Sequence, residues 1–317
     1  MSTASSPQTV IGADPFARVA ALPGVDEAVT AARSAVDALL RHRVLRRRSA
    51  EVTAEASLRS ARASAALEGH AVPMATLRER LTAAADAPGA DARRADGPGA
   101  EAPRAAGRPN ELPGDDLART LAAVRLYAEL GGLGTAWERA PRQALARMHT
   151  LLARGIVPDG ELGRPRVGPA AADPLGLGPA PGAAELSARL DGLVGLLVER
   201  TSAPAIVVSA IVHGELLALR PFGILDGMIA RAAGRLVLVG RGLDPKAVTA
   251  SDVGHLEAAL GGEVADSDAP NAAYRAAAAG YARGGADGVR VWLLHCARAV
   301  ELGARDSLAV CEAINRS

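Results

Sequence analysis

The residues best placed to do chemistry lie in one stretch, His213 to Arg231. There HGELLALRPFGILDGMIAR carries a histidine, two arginines, two acids and one of the chain's 2 phenylalanines. Its apolar spacing reads as two helices joined by a turn at Arg220-Pro221-Phe222-Gly223. Pro221 disfavours helical backbone at the residue before it, so the first helix should end at Arg220. Asp226-Gly227 opens the second helix, whose unpaired N–H groups point into the turn. A loop that feeds a helix N-terminus is a site for an anion such as phosphate. The same residues also suit a plain corner in a helical core.

The elements that must hold this corner are read from apolar periodicity. A helix is expected from Asp26 to about Arg48, with Val29, Val36, Leu39, Leu40 and Val44 on one side and a basic last turn that suits its C-terminus. A second follows through AEVTAEASLRSARASAALEGH and stops near Glu68-Gly69. Further helices are expected near 114–131, 139–154, 183–200, 203–219, 252–260, 270–283 and 286–315. Thr201 or Ser202 can cap the one that runs to Leu219. Residues 1–24 carry Ser, Pro and Gly without periodicity and read as a flexible arm. Residues 84–113 are Ala, Pro, Gly, Asp and Arg with no bulky apolar side chain before Leu112. They cannot bury enough surface to offset their ordering entropy and read as a disordered linker.

The turn resembles the active-site motif of the Fic (Fido) family, H-x-F-x-[D/E]-G-N-G-R-x-x-R. Aligned without gaps, Phe222, Gly227 and Arg231 match, and Pro221 is common at its position. Ser64-Ala65-Ala66-Leu67-Glu68-Gly69 also fits the family's [S/T]-x-x-x-E-[G/N] inhibitory-helix pattern, in the family's order along the chain. The resemblance implies an all-α, Fic-like helical bundle with a possible short β-hairpin flap, covering roughly residues 25–83 and 114–315. On it, 25–83 is an N-terminal helical segment with the inhibitory-type residues Ser64, Glu68 and Gly69, and 114–317 is the core. Gly163, Arg164, Arg166 and Val167 would belong to the flap, which in relatives aligns a target segment by strand addition.

The family transfers AMP from ATP to protein hydroxyls with magnesium, so the resemblance implies adenylyltransferase ancestry and a protein partner or target. The departures fall on the residues that do that chemistry. Arg220 stands in place of the catalytic histidine, and a guanidinium with a pKa above ~12 is no base at neutral pH. His213 is left as a substitute base, although a histidine there also suits a hydrogen-bonded core position. Ile224 replaces the magnesium-holding acid and offers no oxygen ligand. Leu225 and Asp226 break the glycine-asparagine-glycine phosphate cradle, and Met228 replaces the first arginine. Arg231 remains as a phosphate partner, with Phe222, Asp226 and Gly227 around it. Glu68 would pair with Arg231. The reading is a Fic-fold protein impaired in catalysis, a pseudoenzyme acting as regulator or scaffold. The alternatives are a transferase with a rearranged site and an NAD(P)-dependent oxidoreductase. The last rests on Leu236-Val237-Leu238-Val239-Gly240-Arg241-Gly242, a strand-like run before two fingerprint glycines, but Pro245 takes the third position.

Composition narrows the classes further. The chain of 317 residues is 49% apolar, 2% aromatic and has a net charge of +1, which argues against a nucleic-acid binder. Lys246 is the only lysine, so lysine-based covalent chemistry has one candidate. No Cys/His group has the spacing of a metal site, and no metal is expected. Cys296 and Cys311, about 22 Å apart along one helix, cannot bridge within it. With no apolar run of membrane length and no signal-like N-terminus, a soluble cytoplasmic protein without a membrane anchor is expected.

Overall fold

The computed structural model describes residues 14–85, 114–260 and 271–316. The linker expected at 84–113 lies almost wholly outside them. The helices are α1 (Pro15–Ala20), α2 (Val25–Leu40), α3 (Ser49–Leu67), α4 (Met74–Ala85), α5 (Gly114–Arg139) and α6 (Pro141–Ala153). Then follow α7 (Ala183–Val198), α8 (Ala205–Leu219), α9 (Asp226–Gly240), α10 (Ser251–Leu260), α11 (Ala272–Arg283) and α12 (Ala286–Arg316). Short 3-10 turns occupy Arg43–Arg46 and Asp159–Glu161. The fold is all-α, and the described residues contain no β-strand, only an isolated bridge between Arg154 and Val157.

The antiparallel pair α8 and α9 lies at the centre, with nearly every side chain buried. Around it, α3 packs on α5 and α10, α2 and α10 pack on α12, and α11 fills the space between α8 and α12. One hydrophobic cluster runs from Phe16 through Leu67, Met148, Leu216 and Leu236 to Cys311. The N-terminal helices and the core thus share a single interior.

The expected first helix, Asp26 to Arg48, ends at Leu40. His42 takes an extended backbone and its Nδ1 accepts the Val44 N–H at 3.4 Å, starting the 3-10 turn that buries Val44 and Leu45. Of the arm expected at 1–24, residues 1–13 lie outside the described residues, and the rest contains α1. Asp14 caps α1, accepts hydrogen bonds from Thr201 Oγ1 (2.8 Å) and Ser202 N (3.0 Å), and Phe16 is buried. Thr201 and Ser202 therefore anchor α1 instead of capping α8, whose N-cap is Pro204. Helix α5 runs past Gly131 to Arg139 because Leu133 and Trp137 are buried on it. The Leu236–Val239 run is the last turn of α9, so the strand that a dinucleotide fingerprint requires is absent there and the oxidoreductase reading is discarded.

Candidate functional site

The α8–α9 turn is built on left-handed backbone. Arg220 closes α8 at φ 44° and ψ 63°, with its N–H on Leu216 O at 3.0 Å. As expected of the residue before Pro221, Arg220 lies outside the right-handed helical region and the helix ends there. Leu225, directly before α9, is also left-handed at φ 60°. That geometry suits glycine, and a leucine adopts it here because its side chain is buried.

Arg220 does not face solvent. Its guanidinium donates to Gly178 O and lies 3.3 Å from Asp173 Oδ1, while Asp173 also accepts the N–H groups of Leu177 and Gly178 at 2.9 Å. The expected flap residues form no hairpin. Arg166 turns inward: its Nε donates to Arg220 O (2.8 Å), Nη1 to Gly168 O (2.7 Å) and Nη2 to Pro181 O (2.7 Å) and Leu219 O (3.0 Å). Its backbone N–H adds a bond to Pro221 O at 2.8 Å. These bonds satisfy the carbonyls freed where α8 ends, and that use of Arg166 outweighs a two-strand pairing. Gly163 donates its N–H to His149 Nδ1 at 2.9 Å, Arg164 bonds Glu161 O at 3.1 Å, and Val167 is 90% exposed.

Phe222 stacks on His149 with ring centroids 4.3 Å apart and planes 6° from parallel. His149 was not singled out in the sequence, where it is one polar residue on an otherwise ordinary amphipathic helix. Burial lowers its pKa to about 4, so it is a neutral ring here.

Asp226 folds back over the turn, its Oδ1 accepting the Phe222 N–H at 2.8 Å. Its second oxygen is buried without a partner. Burial pushes the carboxyl up to about 8; the Phe222 and Gly223 amides pull it down, Glu68 raises it and Arg166 lowers it. Asp226 and Arg220 line a cavity of about 20 Å³ with Asp173, Leu177, Leu217 and Ile224, room for one water.

Glu68 and Arg231 meet at 2.6 Å, with side chains only 3% and 1% exposed. Every nitrogen of the guanidinium is in use: Nε donates to Ser64 Oγ (2.7 Å), Nη1 to Tyr274 OH (2.9 Å), and Nη2 to Ser64 O (2.9 Å) and Glu68 Oε1 (2.6 Å). Tyr127 ties the group further through Ser64 Oγ (3.1 Å) and Asp252 Oδ1 (2.6 Å). Burial opposes the charge on Arg231, but Tyr274, Glu68, Tyr127 and Asp252 outweigh it and its pKa is raised. Gly69, at φ 94°, lets the chain turn away after Glu68. A Cβ at Gly227 would collide with Glu68 Oε1, so the glycine lets that carboxylate lie against the start of α9.

His213 is not brought to the turn. Its Nε2 bonds Tyr274 OH at 2.8 Å, its ring meets Trp292 edge-on at 4.9 Å, and burial with Arg231 and His295 nearby drives its pKa well below 6.5. It is a core histidine, and the substitute-base expectation fails on geometry.

ATP and magnesium do not fit this arrangement. The helix N-terminus that would take phosphate is filled by the side chains of Asp226 and Glu68, all three guanidinium nitrogens of Arg231 are already engaged, and Ile224 supplies no metal ligand.

The helical arrangement is the Fic fold. The chain superposes on the crystal structure of a Fic family protein from Desulfovibrio desulfuricans with a TM-score of 0.61, covering 89% of this chain and 74% of that one at 18% identity. No protein-family profile and no curated protein matches the sequence.

Proposed function

We propose that this Fic-fold chain is a pseudoenzyme related to protein adenylyltransferases, impaired in AMP transfer and acting as a regulator or scaffold through a protein partner. The observation that carries the reading is the locked state of the motif loop. The side chain at the base position is a buried guanidinium held by Gly178 O and Asp173, and a carboxylate occupies the phosphate position at α9. Incubation with α-labelled ATP and magnesium should label neither the protein nor a lysate, and calorimetry should detect no ATP binding. Magnesium-dependent labelling that disappears in Arg231→Ala would sink the proposal.

A second reading, a transferase with a rearranged site, is favoured by Asp226 alone. A carboxyl with a pKa near 8 and one unpartnered oxygen is poised to exchange a proton at working pH. That reading requires labelling that rises through pH 8 and is lost in Asp226→Asn.

A further inference from the structure

Away from the motif loop, three helices bring His213 (α8), His255 (α10) and Cys296 (α12) together. One ring nitrogen of each histidine and the cysteine sulfur lie within 4.8 Å of one another, and all three residues are buried. The sequence gives no spacing signal for this group, because each ligand comes from a different helix. The same three residues line a cavity of about 20 Å³. That is enough for a single small occupant.

Each histidine has one nitrogen held by a neighbour: Nε2 of His213 by Tyr274 OH at 2.8 Å, and Nδ1 of His255 by His295 Nε2 at 3.0 Å. In the tautomers where these two nitrogens carry the protons and donate, Nδ1 of His213 and Nε2 of His255 hold the lone pairs that a metal would take. Outer partners of this kind fix the tautomer and ring orientation of metal-binding histidines. Glycines hold the backbones close. A Cβ at Gly214 would lie 2.8 Å from Trp292 Nε1, and one at Gly254 would collide with the Ala299 carbonyl. The ligand atoms, up to 4.8 Å apart, need approach by at most about 1.3 Å to reach the ~3.5 Å separations expected from metal–nitrogen and metal–sulfur bonds of about 2.0–2.3 Å.

Charge selects the ion. Arg231 and Arg235 also line the cavity, and their ion-pair partners are Glu68 and Asp252, so this surrounding set is already neutral. A thiolate with two neutral imidazoles balances a monovalent ion. A divalent ion would leave an uncompensated charge in a low-dielectric interior. A soft thiolate in a three-ligand set also suits Cu(I).

We propose that His213, His255 and Cys296 form a buried site for one Cu(I) ion. Binding replaces the thiol proton, which leaves to solvent, and involves no redox step. The test uses the purified full-length chain, metal-free and anaerobic, titrated with Cu(I) against a chromophoric Cu(I) chelator. One Cu(I) per chain should transfer to the protein, with a rise in thermal midpoint. His295→Ala should weaken binding about 10–100-fold, as outer-partner losses do. Cys296→Ala should abolish it and Cys311→Ala should leave it unchanged. Because Cys296 is a core residue, X-ray absorption on the unaltered protein provides a second reading, with one sulfur and two nitrogen neighbours expected. The proposal is overturned by no transfer from the chelator, by a copper shell without sulfur, by binding that survives in folded Cys296→Ala, or by Zn2+ binding where Cu(I) does not.

Discussion

At the scale of single residues, two buried carboxylates carry opposite consequences. Glu68 faces a guanidinium with no other carboxylate within hydrogen-bond reach, since Asp252 lies 3.7 Å from Arg231 Nε and 3.9 Å from Arg235 Nη1. Removing Glu68 leaves Arg231 only the longer contact to Asp252, which Arg235 shares, at a cost of about 3 kcal/mol, the lower end for breaking a buried pair. Glu68→Ala should therefore lower stability by that amount in urea titration and should produce no AMP transfer. A variant as stable as the parent, or one that labels proteins, would contradict the structural role given to the pair. Asp226 works in the other sense. Its carboxyl is raised from an ordinary 3.8 to about 8, so between those values the folded chain holds a proton that the unfolded chain has released. Its contribution to stability is complete below pH 4, falls as pH rises and is gone above 8, at about 1.4 kcal/mol per unit. His149 and His295, lowered to about 4, act oppositely but only up to the ordinary histidine value of 6.5. From pH 6.5 to 8 the Asp226 effect stands clear. Over that window the stability of the parent should drop by about 2 kcal/mol relative to Asp226→Asn. Parallel pH curves for the two proteins would show that Asp226 ionises normally.

At the scale of elements, helix identity was legible and local turn geometry was not. The i, i+4, i+7 apolar spacing of Leu186, Leu190 and Leu193 located α7 within two residues. Ile206-Val207-Val208 suits a strand by propensity, but the apolar run continues to Leu219 and the segment is a helix. The failures lie where tertiary bonds decide: His42 stops α2 early, and Arg166 spends its side chain on the end of α8 instead of a hairpin. Of the candidate site, the Glu68–Arg231 meeting was legible because both residues belong to recognisable motifs. The buried setting of Arg220 was not, since Asp173 and Gly178 sit in a loop without periodic signal. The close approach of α10 to α12 gives this scale its prediction. A methyl at Gly254 has backbone in its path, at the Ala299 carbonyl and 2.9 Å from Gly303 N. Gly254→Ala should cost about 3 kcal/mol or more, at the upper end for overpacking, because backbone yields less than a side chain. An unchanged thermal midpoint would mean that the two helices stand further apart.

At the scale of the whole molecule, the described residues form one interior to which helices far apart in sequence contribute. Val25, Val29, Ala32, Val36 and Leu39 of α2 are buried, and α2 packs on α12, whose Trp292, Leu293 and Cys296 are buried too. The division into an N-terminal segment and a core is therefore a division of sequence, not of packing. A chain beginning at residue 114 should fail to form a monomeric, cooperatively unfolding unit, because the faces of α5, α10 and α12 covered by α2 and α3 would lie open. Gel filtration and circular dichroism of that fragment provide the check, and a folded monomer would overturn the account. Within the described residues no helix is long and apolar enough to cross a membrane.

The packing of α2 and the start of α3 on α12 also sets a clock on biosynthesis. Arg48 hydrogen-bonds the carbonyl of Ile314 at 2.6 Å, 266 positions further along the chain. At ~5–20 residues per second, the ribosome needs on the order of ten to fifty seconds to supply that partner. Throughout that interval the apolar side of α2 has emerged and has nothing native to cover it. The nascent protein is therefore a natural client for whatever shields hydrophobic segments during translation, and this part of the fold closes only once α12 has been made.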